Sequence, residues 1–95
     1  GEVSNIHALR RGAAEALEVT ALGDAYSSRV VGRRLEEIAL PDGVTIGAIV
    51  RGEEVLIAHR HIVVETNDHV ILFVVDKAKI SAVEKLFAVG LGFFS

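Results

Sequence analysis

The sequence predicts an α+β fold in two layers, a small, mostly antiparallel β-sheet with two helices, and three observations carry that prediction. Aliphatic and β-branched runs of strand length recur at VTIGAIVR, VLIA and VILFVV. Turn chemistry separates them, at Pro41-Asp42-Gly43, Arg51-Gly52-Glu53-Glu54, His59-Arg60-His61 and Thr66-Asn67-Asp68. Two further stretches space their apolar residues for a helix, Leu35 with Ile38, and Ile80 with Val83, Leu86 and Phe87.

Taken in order, residues 1–12 read as the end of a preceding segment. In 13–22, AAEALEVTAL, Ala, Glu and Leu favour a helix by propensity, with Gly23 suited to its C-terminus. Gly23 to Arg29 is a polar connection. VVGRRLEEIAL then predicts a short amphipathic helix with Leu35 and Ile38 inward and Arg33, Arg34, Glu36 and Glu37 outward, ended by Pro41. VTIGAIVR alternates as a strand with Val44, Ile46, Ala48 and Val50 on one face, and Gly47 inside it marks a bulge or a close backbone approach. Further strands follow at VLIA, at Ile62–Glu65 and at VILFVV, in the pattern of a β-meander. Asp76 is placed to cap a helix over Lys77–Phe87. The main domain spans 13–87, and residues 88–95, AVGLGFFS, form an apolar tail.

At 95 residues the chain is one small domain, which buries only about 60–65% of the surface its unfolded form exposes. With a formal charge of -3, and no basic cluster larger than Arg10-Arg11 or Arg33-Arg34, nucleic acid is not an expected partner. There are no cysteines, which removes disulfides and thiolate chemistry and suits a reducing compartment. There is also no methionine, so the expectation is a piece of a longer protein or a processed product. Val70–Val75, the longest apolar run, is far too short to span a bilayer.

Candidate chemistry is sparse. In LPDGVTIGAIVRG the glycines Gly43, Gly47 and Gly52 precede β-branched residues rather than a helix N-terminus, the reverse of a phosphate-cradling loop, so they read as turn and strand residues. His59 and His61 offer two imidazoles, with His69 a third, but no carboxylate or cysteine completes a tetrahedral set at usual spacing; no metal site is expected. Glu36-Glu37 and Glu53-Glu54 read as solvated carboxylates, and Ser27-Ser28 as loop or cap residues with no base to activate them. No catalytic constellation emerges, and the chain is not expected to be an enzyme.

VILFVV is apolar on both faces, Val70, Leu72 and Val74 on one and Ile71, Phe73 and Val75 on the other. A sheet with one wet face alternates polar and apolar residues, so a second cover is required, either the chain's own segments or a partner surface. Val70, Leu72 and Val74, with Phe93 of the tail, are the candidate dimer-interface residues.

The ordered set VGRRLEEIALPDGVTIGAIVRGEEVLIA, NDHVILF and VEKLF, preceded by LRRGAAEA, resembles the C-terminal ligand-sensing (TrkA-C) subdomain of the RCK family over about residues 10–95. Two positions depart from the pattern: His59-Arg60-His61 replaces a Pro/Gly-containing turn, and Asn67 stands where Gly is usual, a change the backbone tolerates because Asn enters the left-handed region readily. The resemblance implies that residues 15–21 are a strand, against their propensity. It implies a cytoplasmic regulatory and assembly role in bacterial potassium uptake, peripheral at the inner face of the plasma membrane, with a membrane potassium-translocating subunit and a second copy of the chain as partners. NAD(H) or ATP/ADP would bind in Rossmann-type subdomains outside this segment, which itself carries no cofactor. Some relatives bind a nucleotide or cyclic dinucleotide effector, and the matching positions here are Val31, Arg33, Thr45 and Ile46. The alternative is a ligand-free homodimerisation module of another transporter or signalling protein.

Overall fold

The computed structural model describes residues 3–9, as backbone, and residues 14–90. Five strands, β1 (Val3–Leu9), β2 (Ala14–Thr20), β3 (Val44–Arg51), β4 (Glu54–Ile57) and β5 (His69–Val74), make one sheet in the order β1-β2-β5-β3-β4. Every pairing in it is antiparallel. The order is not that of a meander, because the last strand to appear in sequence inserts between β2 and β3. Residues 14–20 are a strand, as the resemblance implies, with Glu15, Leu17 and Val19 on the buried side. Pairing on both flanks supplies more than the few tenths of a kcal/mol per residue by which Ala and Leu favour a helix. The sheet also takes in Val3–Leu9, within the stretch read from sequence as a preceding segment.

Among the described residues one α-helix forms, α1 (Ile80–Phe87), led by a short 3-10 turn over Lys77–Lys79 whose first free N–H, that of Ala78, donates to the Asp76 carboxylate at 2.9 Å. It lays Val83 and Phe87 on one face of the sheet, and Lys77 reaches the Glu15 carboxylate at 3.3 Å. The second predicted helix is reduced to a 3-10 turn, Leu35–Glu37. Its backbone donors are drawn elsewhere: Leu35 N–H donates to the Ile62 carbonyl at 2.9 Å and Glu36 N–H to that of Arg60 at 3.1 Å, leaving no i→i−4 ladder. For the same reason Ile62–Glu65 is not a sheet strand. It runs against residues 32–35 through the Arg34–Val63 bridge, with Gly32 N–H on the Val64 carbonyl and Val64 N–H on that of Arg33. Two expected elements thus satisfy each other away from the sheet.

The core lies between one sheet face and this layer of helix and loops. Leu17, Val19, Ile46, Ile49, Val70, Leu72 and Val74 meet Val30, Val64, Val83 and Phe87, all of them buried. Along β3 the expected alternation holds for Val44 and Ile46 and then slips, because Ile46 pairs with Leu72 while Ala48 pairs with Ile71. Gly47 is the extra residue of a β-bulge. The slip turns Ile49 into the core and leaves Ala48 and Val50 on the other side, contrary to the sequence expectation.

Candidate functional site

The face of the sheet opposite α1 is the feature that the fold leaves open. Register places Ala16 and Glu18 of β2, Ile71 and Phe73 of β5, Ala48 and Val50 of β3, and Val55 and Ile57 of β4 on it. Among these, Val55 is 61% and Ile57 74% exposed, and Val75, just past β5, is 61%. No described segment of the chain lies over this face. Val70, Leu72 and Val74, the residues proposed from sequence as the dimer interface, are at most 1% exposed and belong to the core. The chain itself covers one side of the central strand, while on the other side Phe73 and Val75 are exposed and Ile71 is half-buried. Phe93 lies outside the described residues. The signal for the open residues was the same alternation, read with the opposite parity.

The surface has a defined relief. Gly47 sits opposite Ile71 at the bulge, and a Cβ there would run into the ring of Phe73, so the ring rests on bare backbone. At the upper end His69 Nδ1 lies 2.7 Å from the Glu18 carboxylate and 3.5 Å from Thr20 Oγ1, a polar group set among apolar ones.

Of the four ligand candidates the structure brings two together. Thr45 and Ile46 line a hollow of about 250 Å³ with Leu35, Ala58, His59 and Arg60. Val31 is buried in the core instead, and the Arg33 guanidinium is turned onto its own loop, donating to the carbonyl of Val31 at 3.2 Å. A larger open groove of about 580 Å³ lies between the helix and the Ala39–Pro41 segment, with Arg29 and Lys85 at its rim.

The loops are held by polar clusters of their own. Arg51 donates through Nε and Nη2 to both oxygens of Asp68, at 2.9 Å each, and Nη1 meets Glu65 at 2.9 Å. Asp68 is buried and also accepts the Glu65 N–H at 2.8 Å. The bond to Asp68 raises the Arg51 pKa further above the ordinary arginine range, so the group stays charged. Ser28 Oγ accepts the N–H groups of Val30 and Val31, the cap chemistry its sequence suggested. Asp24 accepts those of Tyr26 and Ser27, and the Ser27 bond in particular holds its carboxyl below the usual range. His59 and His61 face each other edge to face at 6.3 Å, and among the described residues no group of three or more His, Cys, Asp or Glu is placed to hold a metal. None of the described helices is long and apolar enough to cross a membrane.

Residues 24–88 match the TrkA-C domain family. A Trk system potassium uptake protein TrkA of Halomonas elongata is 64% identical over 94 residues, which cover 99% of this chain and 21% of that protein. The protein of the same name from Vibrio alginolyticus is 58% identical over 86 residues, 90% of this chain and 19% of that one. That of Haemophilus influenzae is 44% identical over 87 residues, 92% of this chain and 19% of its own length. The chain thus spans about a fifth of the curated relatives it matches.

Proposed function

The chain belongs to the TrkA-C domain family, and from that membership we propose that it is the regulatory and assembly subdomain of the cytoplasmic subunit of a bacterial Trk potassium uptake system. It works by association rather than catalysis, with a second copy covering the open sheet face. Its wider partners are the membrane potassium-translocating subunit and, for NAD(H) or ATP/ADP, Rossmann-type subdomains outside this chain. The relatives named for potassium uptake support the setting, and the exposed row of Val55, Ile57, Phe73 and Val75 carries the mode of action. Five strands at about 4.8 Å spacing, averaging roughly 20 Å in length, present a face of roughly 500 Å² in projection before side-chain relief. That approaches the ~800 Å² per partner of a standard stable interface.

Sedimentation of the 95-residue chain at micromolar concentration tests this reading. A dimer is expected, and Phe73→Asp, which places a charge at the middle of the face, should return it to monomer. A wild-type chain that stays monomeric there overturns the proposal.

The ligand-free reading gains support from Val31 and Arg33, which are committed to the chain's own interior and loop rather than to the hollow beside Thr45 and Ile46. Thermal shift with nucleotides and cyclic dinucleotides separates the two, since a ligand at 100 times its Kd stabilises by about 2.7 kcal/mol. A shift lost in Thr45→Ala favours an effector site, and silence across the screen favours the plain association module.

A further inference from the structure

We propose that the free edge of β4 is a second self-association contact, pairing antiparallel with β4 of another copy about a two-fold axis through Leu56 and continuing the sheet from one molecule into the next. It differs in place and direction from the face contact proposed above and does not rest on it.

The first observation is the phase of the β3–β4 ladder. β4 ends the sheet, and its pairs are Arg51–Glu54, Val50–Val55, Ile49–Leu56 and Ala48–Ile57. Ala58 N–H donates to the Gly47 carbonyl at 3.1 Å, which makes Gly47–Ala58 a hydrogen-bonded pair. Antiparallel ladders alternate, so Ile49–Leu56 is hydrogen-bonded too, and the N–H and C=O groups of Val55 and Ile57 point away from β3 to the open edge. Among the described residues no backbone group from another segment reaches them.

The second observation is that, although β4 is only four residues long and opens on Glu54, several of the usual protections of an edge are missing. β4 has no Pro, no Lys and no register shift in its pairing with β3, and its two outward-bonding residues are exposed Val and Ile. The third is complementarity under the two-fold. Pairing Leu56 with its own copy sets Val55 against Ile57 twice, so the free donors and acceptors of both strands meet as two hydrogen-bonded pairs. The same register brings Glu53 of each copy opposite His59 of the other and beside its Arg60, so the acidic end of one strand meets the basic end of its mate. A shift by two residues loses one of the pairs and this charge match. With only four backbone bonds, the edge is the weaker contact, forming at hundreds of micromolar where the face forms at micromolar.

The chain has no cysteine, so Leu56→Cys is an unambiguous reporter. Self-paired residues at a non-hydrogen-bonded site lie about 4.5 Å apart between Cα atoms, inside the range a disulfide spans. Leu56 turns toward the core side of its own sheet, where a face-to-face dimer would not bring two copies together. Mild oxidation should give a cross-linked pair in Leu56→Cys, in the Phe73→Asp background as well, with circular dichroism checking the fold. Val55→Pro removes an outward donor while sparing the β3 ladder, and should lower the cross-linking rate at least fivefold. In the otherwise wild-type chain, Glu53→Arg should weaken association at hundreds of micromolar by a similar factor, and adding Arg60→Glu should restore it. Absence of the cross-link in folded Leu56→Cys, or cross-linking indifferent to Val55→Pro, overturns the proposal, as does association unchanged by Glu53→Arg. Failure of the face contact alone shows instead as a wild-type chain monomeric at micromolar concentration that still cross-links through Leu56→Cys.

Discussion

Arg51 is tied to Asp68 across 17 residues of sequence, and the pair closes the loop that leads into the central strand. Asp68 is buried while Arg51 keeps 29% of its side chain in solvent, so the carboxylate is the group that suffers if the pair is cut. Arg51→Met is expected to cost about 3 kcal/mol, the low end for breaking a buried pair, and to lower Tm by about 10–20 °C in a chain of this length. Arg51→Lys should fall between, because an ammonium cannot match both carboxylate oxygens at once. Urea denaturation of the three chains decides it, and a loss under 1 kcal/mol for Arg51→Met would show that water replaces the guanidinium. Nothing in the local pattern announces this pair, since Arg51 and Asp68 each read as turn residues and a salt bridge leaves no periodic trace. Asn67 beside them was legible: its φ of 71° is the left-handed backbone for which Asn stands in for Gly.

At the level of elements, what could be read was what local pattern controls. The strands at 44–51, 54–57 and 69–74 and the Asp76-capped helix follow from alternation, spacing and caps. The turn at Leu35–Glu37 could not, because its hydrogen-bond partners at Arg60 and Ile62 come from more than 20 residues away. Counting by twos through β3 failed at Gly47, where one added residue reverses parity and exchanges Val50 for Ile49 in the core. The hollow itself has no trace in the local pattern: its candidate residues came from the resemblance, and of these Thr45 and Ile46 line it while Val31 and Arg33 lie elsewhere. The bulge also makes Gly47→Val informative. An added side chain would displace the Phe73 ring, which lies on the open face and has room to swing outward in a lone chain. The expected result is a Tm for dilute chain changed by only a few degrees and face association weakened at least tenfold, about 1.4 kcal/mol. Undiminished dimerisation by sedimentation would refute the close-approach role of this glycine.

For the molecule as a whole, the strand order β1-β2-β5-β3-β4 gives a schedule as well as a shape. Before residues 69–74 are in place, β1 with β2 and β3 with β4 are two separate hairpins that share no hydrogen bond and whose apolar faces have nothing to rest on. Joining them means closing two long loops around one strand, a non-local step of the kind that slows folding to milliseconds or longer. The barrier therefore belongs to β5. Leu72→Ala should destabilise by about 2–5 kcal/mol and take much of that from the folding rate. Ile57→Ala, at the sheet's margin, should act on unfolding alone, and stopped-flow rates that fail to separate the two would relocate the barrier. During synthesis the first two-thirds of this chain emerge before the strand that joins them, and until it arrives neither two-stranded ribbon has a third strand to steady it, so apolar faces and strand edges alike are open to any neighbour.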